Sequence, residues 1–162
     1  MVKKHGLVVL ALGVLSACQP NYDTRQYWDY PNGWPKENPA EFDFQLPDDQ
    51  PRNVYLHLRN NNDYPFSNIF LITELESTFG KVLEDTLEFA MANPQGAWLG
   101  KGFFDLKESR LWWLEAAELP AQTPLRIKIR QAVRQNGQQH GLDTLPGIVT
   151  VGFSVEPMKT TD

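Results

Sequence analysis

Leu125-Arg126-Ile127-Lys128-Ile129-Arg130 sets apolar side chains at 125, 127 and 129 against cations at 126, 128 and 130. A period of two places the two sets on opposite faces of a β-strand; a helix would need a period near 3.6. The same alternation recurs on either side. Phe42, Phe44 and Leu46 alternate with Asp43 and Gln45, and Val54, Leu56 and Leu58 with Tyr55, His57 and Arg59. Val149, Val151, Phe153 and Val155 alternate with Thr150, Gly152 and Ser154. Ile69 to Glu74 is a near-continuous apolar strand, and Leu111 to Leu114 a short one. Lys81 to Met91 reads as a strand with Leu83, Leu87 and Phe89 on one side, a helix being the alternative because it lacks proline. Trp98 to Leu106 carries Gly100 and Gly102 between aromatics, which suits a strand with a bulge or a close backbone contact.

Turn chemistry separates these runs. Pro47-Asp48-Asp49-Gln50-Pro51, Thr78-Phe79-Gly80 and Asn93-Pro94-Gln95-Gly96 are turn clusters, Asn60 to Pro65 is a loop, and Gln135 to Pro146 is a polar loop. About eight short strands with turns between them predict an all-β fold. The expected form is a single antiparallel β-sandwich, jelly-roll-like, over residues 40–157.

What precedes the sandwich reads as an address. Lys3 and Lys4 lead an apolar stretch from Gly6 to Leu15, then Ser16 and Ala17, then Cys18, the only cysteine. That order matches a bacterial lipoprotein signal, residues 1–17. The apolar stretch, roughly ten residues, is too short to cross a bilayer as a helix. Cys18 is the expected lipidation site, receiving a thioether-linked diacylglycerol, with palmitate as an expected acyl group, and becoming the first residue of the mature protein. Two or more acyl chains anchor a protein stably. Gln19, rather than aspartate, follows the cysteine, and Pro20 to Asp23 lacks a dense acidic run. Both favour a periplasm-facing place on the outer membrane. Asn21 to Pro39 is aperiodic and rich in Tyr, Pro, Asn and Trp, so residues 18–39 are expected to form an extended tether. Trp28 and Trp34 should dock on the domain, and residues 158–162 form a tail.

Composition excludes several classes. Without Lys3 and Lys4, 13 of the 15 basic residues remain against 20 acidic ones. So acidic a chain is a poor ligand for nucleic acid. No cofactor is expected. His57 and His140, the histidines beyond the signal, lack ligand spacing for zinc, so no metal site is expected. Ser67 and Ser154 lack a Gly-x-Ser-x-Gly setting, and Gly96 to Gly102 lacks the Lys-Ser/Thr end of a phosphate loop. Asp85 and Glu88 point to opposite faces of a strand and cannot act as a glycosidase pair. No catalytic residue and no small-molecule substrate emerge.

The candidate contact residues are of two kinds. Arg59, Asp63, Tyr64 and Asn68 belong to a loop at a strand end, with Arg59 expected to pair with Asp63 or to reach a carboxylate such as Asp85. Trp112 and Trp113 put one indole on each face of a strand, so one is buried and the other is the better candidate for a partner or glycan.

Three stretches carry a family resemblance. They are Arg59-Asn60-Asn61-Asn62-Asp63-Tyr64-Pro65-Phe66-Ser67-Asn68-Ile69-Phe70-Leu71; Asp85-Thr86-Leu87-Glu88 with Gly96-Ala97-Trp98-Leu99-Gly100-Lys101-Gly102; and Gln131-Ala132-Val133-Arg134 with Leu145-Pro146-Gly147-Ile148 and Val151-Gly152. In this order, behind the Cys18 signal, they resemble the gliding motility lipoprotein GldH family of Bacteroidota over nearly all of the mature domain. Val133 stands where that resemblance would place methionine, a conservative apolar change. The resemblance implies a non-catalytic accessory or scaffold role beside the gliding and type IX secretion machinery, with membrane attachment and protein partners. The tryptophans and the sandwich motivate an alternative, a carbohydrate-binding lipoprotein of the cell envelope.

Overall fold

The computed structural model describes residues 24–133 and 141–158. The signal, Cys18, His140 and residues 159–162 lie outside them. Ten strands follow in order: β1 Thr24–Asp29, β2 Trp34–Pro35, β3 Ala40–Phe44, β4 Arg52–Asn60, β5 Asn68–Ser77, β6 Gly80–Ala90, β7 Lys107–Ala117, β8 Leu125–Gln131, β9 Thr144–Leu145 and β10 Ile148–Pro157. They form two four-stranded antiparallel sheets, β1-β10-β4-β7 and β3-β8-β5-β6, with β2 and β9 pairing as a small ribbon. Successive long strands cross from one sheet to the other except at the β5–β6 hairpin. That connectivity is the double Greek key of a jelly roll.

The alternation in β8 explains its place. Leu125, Ile127 and Ile129 are buried between the sheets. Arg126 and Lys128 face outward and meet Asp43 at 2.7 Å and Glu41 at 3.1 Å on β3, the residues that the antiparallel register sets opposite them. Inside, Phe153 of β10 packs against Phe42 and Phe44 of β3 at ring separations of 5.1 and 5.2 Å. Leu56, Leu58, Val151 and Val155 close the first sheet's side of the core, and Leu71 and Leu75 the second's. Each such aliphatic side chain contributes about 1.5–3 kcal/mol on burial.

Three sequence expectations change. Residues 24–29 are an edge strand of the sandwich, paired with β10 from Thr24–Val155 to Asp29–Thr150, so the domain begins by Thr24 rather than at 40. Trp34 docks as expected and is fully buried, whereas Trp28 is half exposed at the sheet edge. β1 escaped the periodicity test because an edge strand buries neither face fully and carries polar and aromatic residues on both. Leu99 to Leu106 is a loop rather than a strand, joined to its surroundings by isolated bridges, Ala92–Trp98 and Lys101–Glu108. Its glycines and the positive φ of Phe104, 49°, break the extended path. Two readings hold: Lys81 to Met91 is a strand, β6, rather than a helix, and Leu111 to Leu114 is the middle of the longer β7.

Candidate functional site

The outer face of the first sheet is organised in three cross-strand rows. Asp29, Thr150, Arg59 and Glu108 form one; Tyr27, Gly152, His57 and Arg110 the next; Arg25, Ser154, Tyr55 and Trp112 the third. The rows follow from register alone, because every second residue of each strand faces this side. Gly152 makes room within them: a Cβ there would lie 2.5 Å from the Tyr27 ring.

Glu108 is the hub. It accepts from Arg59 Nε at 2.7 Å and Tyr27 OH at 3.1 Å, and meets His57 Nδ1 at 3.2 Å. The guanidinium of Arg59 also lies 4.6 Å over the Tyr27 ring. On its other side, His57 Nε2 is 2.9 Å from Ser154 Oγ, and Ser154 Oγ is 2.9 Å from Glu156. Arg110 and Arg25 close the chain on Glu156 at 2.6 and 3.1 Å, and Arg110 stacks 3.5 Å over Tyr55. Carboxylates only accept, so the contact with Glu108 needs a proton on Nδ1. With a neutral ring, Nε2 then accepts from Ser154, which leaves no proton for Ser154 to give Glu156. All three contacts carry a proton only when the ring is charged.

Burial, the largest effect, pushes the His57 pKa below the usual imidazole value; Glu108 opposes it, and Arg25 and Arg110 add to it. Burial alone would raise Glu108, but the bond and charge of Arg59, the Tyr27 hydroxyl and His57 outweigh it and hold the carboxyl below the usual range. Ser154, His57 and Glu108 stand in the order of an acyl-transfer triad. Ser154 is fully buried, however, and a nucleophile must meet the substrate carbonyl. The network locks a polar face in place.

Next to it is a built loop. Lys101 and Glu108 exchange backbone hydrogen bonds of 2.8 Å each. Leu106 N donates to the Phe103 carbonyl at 3.2 Å, Lys107 Nζ to the Gly102 carbonyl at 3.0 Å, and Asn62 Nδ2 to Asp105 at 2.8 Å. A Cβ on Gly102 would fall 2.2 Å from the Leu106 carbonyl oxygen. The loop holds Phe103 and Phe104 at 87 and 95 % exposure, with Leu99 and Leu106 half exposed beside them. One cleft of about 260 Å³ is lined by Phe103, Leu106, Lys101 and Glu108, and a second of about 550 Å³ by Leu99, Trp112, Lys101 and Glu108. The shared Lys101 and Glu108 make one continuous surface along the β7 edge.

The three sequence stretches singled out above converge at this end of the sandwich. Gly147, at φ +77°, presses on the loop after β4, where a Cβ would meet Tyr64 N at 2.1 Å. Asn61 N donates to the Gly147 carbonyl at 2.9 Å, and Ala132 N to the Phe70 carbonyl at 2.9 Å. Trp98, half-buried, packs against Tyr64 at a tilt of 43° and a ring separation of 6.1 Å and donates to Asn62 Oδ1 at 3.3 Å.

The expected contact residues divide accordingly. Arg59 pairs with Glu108, not with Asp63 or Asp85, because β7 lies beside it in the sheet. Asp63 is exposed and caps Asn61. Tyr64 is buried at 2 % exposure, its hydroxyl donating to the Asn68 carbonyl at 2.6 Å, so it braces the loop and offers no contact surface. The Asn68 side chain turns to Glu88 at 2.7 Å. Trp112 is 47 % exposed and Trp113 buried, with Trp113 Nε1 donating to Asp85 at 2.9 Å. Trp113 is thereby removed from the contact set, and Asp85 and Glu88 do face opposite ways. Sequence reasoning missed Phe103 and Phe104, for which an aromatic pair inside a glycine-flanked run was the available signal. It also missed Tyr27, Glu108 and Glu156, whose partners lie up to 131 positions away. Among the described residues, no group of three or more His, Cys, Asp or Glu is placed to hold a metal.

Residues 23–155 match the family described as GldH lipoprotein. The chain is 37% identical over 156 residues to a protein of Flavobacterium johnsoniae named gliding motility lipoprotein GldH, covering 96% of this chain and 97% of that one. It is 38% identical over 153 residues to a homolog of that lipoprotein in Christiangramia forsetii, covering 93% of each. Among solved structures, dimeric latent PorU from Porphyromonas gingivalis aligns with a TM-score of 0.35 at 10% identity, over 84% of this chain but 13% of that one. That likeness is too slight to carry weight. The two near full-length relatives and the match across the sandwich settle the family: the chain belongs to the GldH lipoproteins.

Proposed function

We propose that this protein is an accessory or scaffold component of gliding motility, without catalytic activity of its own, held on the periplasmic side of the outer membrane by lipid on Cys18 and working beside the type IX secretion machinery. The names of its relatives support the gliding role. The observation that carries the scaffold reading is the Phe103–Phe104 tip beside Trp112: a soluble domain gains nothing by holding two phenylalanines in water on a tightly bonded loop unless something covers them. Lipidation confines the domain to one membrane surface and so raises its effective concentration for partners there. Arg59 supports this surface through its pair with Glu108; Asp63 and Asn68 order the neighbouring loop.

The test is a gene deletion complemented with the wild-type chain or with Cys18→Ala. Surface spreading and secretion of a type IX reporter should fall in the deletion, return with the wild type and stay low with the variant. Spreading and secretion both intact in the deletion would overturn the proposal. The glycan-binding alternative finds less support. Its two half-exposed indoles, Trp28 and Trp112, sit on β1 and β7, opposite edges of the first sheet and three residues apart in register, about 17 Å from each other at roughly 4.8 Å per strand and 3.3 Å per residue.

A further inference from the structure

We infer that the Leu99–Leu106 tip docks into an apolar pocket rimmed by carboxylates on another protein, displayed away from the anchoring membrane. The inference rests on the proposed anchor at Cys18 and deepens it by placing the contact and stating the partner's chemistry.

Position is the first argument. Thr24, where the described chain starts, lies in the row Thr24–Val155–Val54–Leu114. β1 and β7 are opposite edges of that sheet. From Leu114 back to Lys107 the strand covers about 23 Å at roughly 3.3 Å per residue, and crossing the sheet adds about 14 Å. The tip, one step beyond Lys107, is therefore diagonally opposite the point where the tether joins, about 27 Å or more away. The six residue steps from Cys18 to Thr24 reach at most about 22 Å. An upright domain holds the tip on its far side, and the anchoring bilayer is reached only by laying the sandwich over.

Charge is the second. The mature chain is acidic, yet this tip is cationic. Lys101 and Lys107 make no ion pair among the described residues and Glu108 is offset by Arg59, so even with the Asp105 carboxylate, which Asn62 bonds without discharging it, the tip keeps an excess of positive charge. Carboxylates on a partner complement it. Size is the third. Phenylalanine buries about 150–250 Å², so the two tip residues with Leu99, Leu106 and Trp112 approach the roughly 800 Å² that each side of a standard interface contributes. Rigid aromatic anchors of this kind dominate such interfaces.

The experiment places p-benzoylphenylalanine at Phe104 in the full-length chain, in intact cells, and irradiates. The expected product is a protein adduct whose mapped peptide lies in an apolar segment flanked by aspartate or glutamate. Lys101→Glu with Lys107→Glu should cut its yield at least tenfold, and Phe103→Ser should do likewise. Lys101 and Phe103 are solvent-facing, whereas Lys107 is half-buried and also bonds the Gly102 carbonyl, so Lys101→Glu alone should lower the yield in the same direction; an unchanged thermal midpoint of each variant verifies the fold. Adduct only to lipid, only to the chain itself, or to a partner whose capture ignores the two charge reversals, overturns the inference. Metabolic labelling with an alkynyl fatty acid separates the two readings. A lipidated chain without a protein adduct refutes this inference alone, whereas a chain without lipid refutes the anchor as well.

Discussion

Replacing Glu108 with alanine removes one carboxylate and strands three donors. The penalties are unequal because the donors differ in burial. His57 is buried, and its Nδ1–H would lose its acceptor; an unsatisfied buried donor costs about 1–3 kcal/mol. Arg59 and Tyr27 are partly exposed and turn to water, so each loses only about 0–1 kcal/mol. The total is about 1–5 kcal/mol, most of it at His57. Glu108→Gln keeps an oxygen for Nδ1–H and should cost about 1 kcal/mol. Urea denaturation of the chain from residue 18 with Cys18→Ala, at pH 7.5, reads both values. A double-mutant cycle with His57→Gln should return a coupling of at least about 1 kcal/mol. If Glu108→Ala and Glu108→Gln cost the same, or the coupling is near zero, the hub carries no strain of unpaired burial and the reasoning is wrong.

The same network predicts the sign of the pH response. His57 titrates below its unfolded value near 6.5, so the unfolded chain binds more protons, and stability falls as pH drops from about 7 through 6.5 toward the lowered folded value. His57→Gln should flatten that part of the profile and leave the acid limb, where Glu108 is protonated below the usual carboxylate range; an unchanged slope between pH 7 and 5.5 would count against burial of the ring. Gly147→Ala puts a methyl group 2.1 Å from the Tyr64 nitrogen at φ +77°, so it should cost several kcal/mol and lower the thermal midpoint by roughly 2–4 °C per kcal/mol; calorimetry showing a shift under 3 °C would contradict the close approach. Trp113→Phe deprives Asp85 of its donor and should cost about 1–2 kcal/mol, whereas Trp112→Ala, on the solvent face, should cost under about 1 kcal/mol; chemical denaturation giving the reverse order would show the faces misassigned.

The central strands were legible because their chemistry is local. A strand with one face in the core and one in water writes its orientation into every second residue, as β8 does with three aliphatics and three cations. The opposed directions of Trp112 and Trp113, and of Asp85 and Glu88, followed from the same pleat. The edge was less legible. β1 has no fully buried face to enforce alternation, and its six residues read as tether. The Leu99–Leu106 run looked like a strand because its aromatics and glycines are strand-compatible. The backbone bonds that make it a loop come from Glu108 and Phe103, and no local pattern announces them.

By itself, then, the sequence determined the fold class, the inward face of most strands, and the family to which the ordered stretches point. Register decided the rest. Glu108 meets Arg59, Tyr27 and His57 only because β1, β10, β4 and β7 lie side by side in that order, and sheet order is a long-range property that loop closure and core packing settle together. The apolar tip likewise became a surface only once folding had buried the other aromatics and left Phe103 and Phe104 in water, because exposure belongs to the packed molecule and not to any residue alone.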